Sequence, residues 1–180
     1  GLTPNDGVIC SGSMVTFTAT AGFSNYAFKI NGSTVQSGAS NILNTTAIVA
    51  AASVTVEITN AGNCKFTTPP VLITVVQTPA VDNVITENSG WAADDNTICA
   101  GDVATITATA GFTNYQFWVN GTDVQNSASN VYSNNNFVNP SIVSVTAMDA
   151  QGCSVSSSNQ IISVNDLPVG TLNIFEQSGI

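Results

Sequence analysis

The sequence predicts an all-β chain of two tandem β-sandwich units of about 89 residues each. An internal repeat, strict two-residue alternation between turn signals, and a composition poor in helix formers carry that prediction. The repeat sets Ile9-Cys10-Ser11-Gly12 against Ile98-Cys99-Ala100-Gly101, and Thr18-Ala19-Thr20-Ala21-Gly22-Phe23 against Thr107-Ala108-Thr109-Ala110-Gly111-Phe112. The offset of 89 from Cys10 to Cys99 also separates Asn31-Gly32 from Asn120-Gly121 and Cys64 from Cys153. A period of that length is one domain-sized unit used more than once.

Composition narrows the class. Hydrophobic residues make up 43% of the 180, enough for a core in each copy. Only 7% are charged, against roughly 25% in ordinary globular chains, so Thr, Ser and Asn must make the polar surface. These residues favour strands and turns over helices. A net charge of −9 with two cations repels phosphate backbones and anionic lipid, so neither nucleic acid nor membrane insertion is expected. No apolar run approaches the roughly 18 residues that span a bilayer. The chain has no His, the commonest general base and zinc ligand. It also shows no Gly-x-Ser-x-Gly and no phosphate loop, so no enzyme is expected.

Taken in order, Gly1 to Gly7 is a polar loop ending in the turn signal Asn5-Asp6-Gly7. From Met14 to Ala21, Val15, Phe17 and Ala19 alternate with Thr16, Thr18 and Thr20, the mark of a half-buried strand. The second copy places Ala104, Ile106 and Ala108 inward. Tyr26, Phe28 and Ile30 face the core of the next strand, with Lys29 outward; the second copy has Tyr115, Phe117 and Val119, with Trp118 outward. Asn31-Gly32 and Asn120-Gly121 are two-residue hairpin turns, since both positions want positive φ. A short return strand covers Ser33 to Gln36, and another spans Asn41 to Thr45 inside the irregular stretch from Ser37 to Ala52. Val54, Val56 and Ile58 alternate again, matched by Val143, Val145 and Ala147, and turns ending at Cys64 and Cys153 follow. The last strands run from Val71 to Val76 and from Ile161 to Val164.

After Pro79, Val81 to Thr86 reads as the opening strand of the second unit, and Thr171 to Phe175 is its counterpart after Pro168. Residues 1–79 thus form a first unit lacking its opening strand, 80–168 a second unit, and 169–180 the opening strand of a following one. Two expectations stay open. Either these residues are a window on a longer array, or the tail completes the first unit of another molecule. About seven short strands per unit argue for an immunoglobulin-like sandwich.

The four cysteines fall at equivalent positions. Symmetry between copies leaves Cys10–Cys64 with Cys99–Cys153, or a bond across repeats such as Cys64–Cys99; four buried free thiols are the remaining alternative. The within-repeat scheme is expected, because each unit then closes a loop of about 54 residues, stabilising it by roughly 4 kcal/mol. It carries a difficulty. A Cys before the second strand and one after the sixth lie at opposite ends of such a sandwich, so the loop before the first Cys would have to carry it across.

The combination of Glu87-x-Ser89-Gly90, Asp95-x-x-Ile98-Cys99-Ala100-Gly101-Asp102, Tyr115-x-Phe117, Asn120-Gly121 and Gln151-Gly152-Cys153 resembles the tandem PKD-like/Ig-like repeats of giant Bacteroidota cell-surface adhesins, including the SprB-type gliding-motility adhesins. The resemblance covers essentially the whole chain. It implies a secreted filamentous protein on the bacterial cell surface, exported by the type IX pathway and anchored elsewhere in the polypeptide. The first copy departs with Ser13 for Asp102 and Asn63 for Gly152.

Asp94, Asp95 and Asp102, with Glu87 near in sequence, are the candidate calcium ligands, and solvated loop acids are the plainer reading. Trp118 is the candidate ligand-binding residue, since an exposed indole stacks on sugar rings; covering a neighbouring strand is its plainer role. Trp91 matches Leu2 and Ile180, which suggests packing between units. The expected function is a disulfide-stapled stalk of an extracellular adhesin or filament, with neighbouring repeats as partners and no cofactor beyond possible calcium. Rival readings are a glycan- or surface-binding module, with surface polysaccharides as partners, and a subunit that polymerises with other filament chains by strand donation.

Overall fold

The structure, a computed structural model, describes residues 5–174. Leu2, Phe175 and Ile180, with the expectations resting on them, lie outside the described residues. The chain divides into two compact units, Gly1–Pro79 with Met148–Ser154, and Ala80–Ala147 with Val155–Ile180.

In the first unit the strands are β1 (Val8–Cys10), β2 (Val15–Thr18), β3 (Asn25–Ile30), β4 (Ser33–Gly38), β5 (Ile42–Thr45), β6 (Ala52–Thr59), β7 (Lys65–Thr67) and β8 (Val71–Val76). They form a large sheet in the order β1-β8-β6-β3-β4, with β7 added to β6, and a small sheet of β2 and β5. Two sheets enclosing one layer of alternating side chains make an immunoglobulin-like sandwich. Phe28 and Tyr26, each 2% exposed, project from β3 into that layer beside Val56 of β6. The Asn31-Gly32 hairpin behaves as its sequence demands, with φ of 50° and 82°. Asn31 then ties the turn to β6, its amide donating to the Ser53 carbonyl and its Oδ1 accepting the Ser53 N–H, both at 2.9 Å.

The second unit repeats the plan with β9 (Asn83–Thr86), β10 (Thr97–Cys99), β11 (Ala104–Ala108), β12 (Asn114–Val119), β13 (Thr122–Ser127), β14 (Val131–Asn134), β15 (Ser141–Met148), β16 (Ser154–Ser156) and β17 (Gln160–Asn165). Its large sheet is ordered β10-β17-β15-β12-β13, with β16 on β15, and its small sheet β14-β11-β9. The small sheets differ: three strands here, two in the first unit among the described residues.

Several expectations change. Val8–Cys10 and Thr97–Cys99 are strands, pairing parallel with β8 and β17 at the edge of each large sheet. Lys65–Thr67 and Ser154–Ser156 are also strands where only turns were read. The opening strand of the second unit begins at Asn83, with Val81 and Asp82 ahead of it. Thr171 to Ile174 form no strand and are exposed.

The cysteine pairing is the main correction. Cys10 is bonded to Cys153, 143 positions further along the chain, with Cα atoms 5.5 Å apart, and Cys64 and Cys99 are free thiols. The within-repeat scheme fails for the reason already raised. Cys10 stands opposite Val76, beyond the end of β8 that pairs with the start of β6, whereas Cys64 lies in the turn after the end of β6. The eight residues of β6 alone span about 26 Å at strand rise. A disulfide bridges Cα atoms no more than about 7 Å apart. The bond does cross between repeats, but through Cys10 and Cys153 rather than Cys64 and Cys99.

Candidate functional site

The most distinctive surface of the first unit is the uncovered edge of β2. Ala19, just past this strand, donates its N–H to the Asn41 carbonyl at 2.8 Å, on the β5 side. Alternation then turns the N–H groups of Thr16, Thr18 and Thr20 the other way. No strand meets them among the described residues. Beside this edge lies a cavity of about 260 Å³, bordered by Phe17, Ala19, Phe28, Val56, Thr68 and Pro69.

The second unit shows what fills such a space. There β9 runs antiparallel to β11, with Ile85 opposite Ile106 and Asn83 opposite Ala108. Thr109, the counterpart of Thr20, donates its N–H to the Asp82 carbonyl at 3.0 Å. Asn83 donates from Nδ2 to the hydroxyl of Ser157, the counterpart of Thr68, at 3.1 Å. Val81 and Ile85 join one continuous core with Ile106, Phe117 and Val145. The first unit has two smaller clusters instead, around Phe28 and around Ile48. Phe17, Ala19 and Ile58 stay half-buried where Ile106, Ala108 and Ala147 are fully buried. Sequence reasoning found the strand but not the groove, whose walls read as ordinary inward positions.

The acidic loop is held by hydrogen bonds between carboxylates and backbone amides. Glu87 is 7% exposed and accepts two backbone N–H groups, from Ser89 at 2.8 Å on Oε2 and from Asp95 at 3.0 Å on Oε1. Asp94 accepts the Glu87 N–H at 3.1 Å, and Asp95 accepts that of Thr97 at 2.8 Å. These carboxylates satisfy loop amides that β9 and β10 leave unpaired. Asp102 sits in the turn after β10, its N–H given to the Cys99 carbonyl at 3.0 Å. Among the described residues no three His, Cys, Asp or Glu side chains gather as a metal cluster, so the structure does not bring Asp94, Asp95 and Asp102 together as one. Glu87, noted only as a neighbour in sequence, is the loop's central acceptor; its place at the end of a strand before a Gly-containing turn was the available signal.

Trp118 is half-buried, and its indole Nε1–H donates to Thr146 Oγ1 at 3.2 Å. At the equivalent places in the first unit, Lys29 meets Glu57 at 3.0 Å, and Lys65 reaches the same carboxylate at 2.9 Å. Hydrogen bonds from Lys65 and Lys29 hold the Glu57 carboxyl below the usual carboxylate range. Trp118 therefore fills a cross-strand packing position. Trp91 is 95% exposed.

No family model matches the sequence, and no curated protein does. Among solved structures the chain is similar to fibronectin(III)-like modules of Clostridium thermocellum CbhA, at 14% identity over 94% of each chain, with a TM-score of 0.42. It is also similar to a Ca2+-stabilised adhesin that helps an Antarctic bacterium bind ice, at 21% identity over 92% of this chain and 48% of that one, with a TM-score of 0.39. A third is the Bacteroides ovatus SGBP-B in complex with a mixed-linkage heptasaccharide, at 14% identity over 92% and 44%, with a TM-score of 0.36. The fold assignment rests on the strand pairing above.

Proposed function

We propose that this chain is a segment of a repeat array that builds a spacer stalk on an extracellular bacterial surface and displays an adhesive region carried elsewhere. One observation supports the reading above others: among the described residues the small sheet of the first unit has two strands, and the second unit adds a third at the same place with its own opening segment. A unit whose core is closed by the segment just ahead of its first shared strand suits serial arrangement, each copy in line bringing its own opening strand. A disulfide fits an oxidising compartment. The resemblance to SprB-type adhesins extends the proposal to type IX export and a role in surface adhesion or gliding motility.

The rival glycan-binding reading needs an exposed indole face at Trp118, and this side chain is half-buried with its N–H given to Thr146. A glycan array and a surface-adhesion assay on the 180-residue chain separate the two. The stalk reading predicts no binding above background for the chain or for Trp118→Ala. Binding lost in Trp118→Ala would overturn it.

Strand donation between separate molecules is favoured by a specific feature. Leu172 and Ile174, the counterparts of Asn83 and Ile85, are 93% and 83% exposed. If they seat in the groove of another molecule, the chain sediments as concentration-dependent oligomers that Ile174→Asp removes. A monomer at all concentrations would leave the adjoining copy of the same polypeptide as the source of the strand.

A further inference from the structure

We propose that Cys64 and Cys99 are the open halves of a disulfide ladder that joins each repeat to the next, with another copy of the repeat as the bonding partner. The observed bond sets the rule. It joins a strand cysteine of the first repeat, Cys10 at the end of β1, to a turn cysteine of the second, Cys153. The two remaining cysteines are the missing members of that same pattern, since Cys99 is the strand cysteine of the second repeat and Cys64 the turn cysteine of the first.

Both are presented as their bonded counterparts are. Cys10 stands in parallel register opposite Val76, and Ser11 donates its N–H to the Val76 carbonyl at 2.9 Å. Cys99 stands in the same register opposite Asn165, and Ala100 donates to the Asn165 carbonyl at 2.9 Å. In the turns, Asp149 Oδ1 accepts the Cys153 N–H at 2.9 Å, and the Asp149 N–H reaches the Cys153 carbonyl at 2.9 Å. Asn60 does the same for Cys64, at 2.9 Å and 3.0 Å. What differs is cover. Cys153 is fully buried, Cys99 half-buried and Cys64 exposed.

The observed bond is heterotypic, a strand cysteine on a turn cysteine, and the proposed one keeps that pairing. Two copies of this chain satisfy the rule head to tail, Cys99 of one molecule on Cys64 of the next. The chemistry is thiol–disulfide exchange with a small disulfide oxidant. The Cys99 thiolate attacks oxidised glutathione and releases one reduced glutathione. The Cys64 thiolate then attacks the mixed disulfide and releases a second. Two thiol protons and two electrons thus leave the protein, and one S–S bond forms. The inference rests on the array reading only for the supply of a neighbouring copy.

The test is oxidation of the 180-residue chain in a glutathione redox buffer, followed by non-reducing mass analysis and peptide mapping, with isotope-labelled and unlabelled chains mixed. The ladder predicts species at multiples of 18.4 kDa. It also predicts Cys64–Cys99 linkages between molecules at least about tenfold above the sum of Cys64–Cys64 and Cys99–Cys99, because docking raises effective concentration only for the matched pair. Cys64→Ser and Cys99→Ser should each stop the ladder, with the Cys10–Cys153 peptide reporting that the variants fold. Random pairing, with heterotypic and homotypic bonds about equal, would overturn the proposal, as would thiols left reduced. Either result leaves the stalk reading to its own adhesion assay. Cys64–Cys99 linkage within one labelled species alone would also contradict the proposal, since it needs a second copy.

Discussion

Cys10 and Cys153 are joined although 143 positions separate them, while Cys64, only 54 positions after Cys10, stays free. Met148–Ser154, which includes Cys153, groups with the first unit. Closing so long a loop removes about 5 kcal/mol of chain entropy from the unfolded state in the loop-closure model, and measured bonds deliver roughly 2–4. Melting with and without reductant should show a clear fall in the first transition on reduction. Cys153→Ser should reproduce it without reductant. Coincident melts would mean that the bond stabilises nothing.

Glu57 supplies the pH dependence. Lys65 and Lys29 lower its carboxyl from the ordinary value of 4.5, so the folded state holds this proton less tightly than the unfolded one. The sign follows: the contribution is fully present above that value and is lost as pH falls through the lowered one. The group meets solvent, so the effect is small and screened by salt. Denaturant melts at pH 7 and pH 3 in low salt should show a stability loss that Glu57→Gln reduces. An unchanged difference in that variant would contradict the assignment.

Gly90 is fixed by a close approach as well as by conformation. Its φ is +80°, and a Cβ built there would collide with the Thr97 carbonyl oxygen in the loop that Glu87 organises. Gly111, with φ of +109°, has open space around the same position. Gly111→Ala should cost about 1 kcal/mol through backbone strain alone, and Gly90→Ala more, toward 3 kcal/mol or beyond. Equal losses in denaturant titrations would contradict the close approach.

The sequence made much of this architecture legible, and its silences have physical causes. Asn31-Gly32 and Asn120-Gly121 announced their hairpins because few residues accept two consecutive positive φ values. Val71–Val76 is legible as a strand because Pro70 and Gln77 bound its largely apolar run. Val8–Cys10 and Lys65–Thr67 were missed because three residues are too few to show alternation. Strand order alone sets Cys10 and Cys64 at opposite ends of the sandwich, whereas the partner of Cys10 is read only from the folded structure. Trp118 faces outward in the alternation, and its indole partner on the adjacent strand, Thr146 in the place of Glu57, is visible only once β12 and β15 are paired. The acids at Asp94 and Asp95 could have been metal ligands or loop acceptors on charge alone. In the fold they accept the Glu87 and Thr97 amides, positions that charge alone does not specify.

The most direct test of the account is whether the open edge of β2 takes the strand that the second unit already uses. Hydrogen exchange of the 180-residue chain would be followed with and without a peptide of residues 80–88, Ala-Val-Asp-Asn-Val-Ile-Thr-Glu-Asn. The account predicts slowed exchange at the Thr16, Thr18 and Thr20 amides and a raised first melting transition. A peptide with Asp in place of the isoleucine should leave both unchanged. Unaltered exchange at those three amides with the native peptide in excess would contradict a β2 edge built to take an opening strand of this kind.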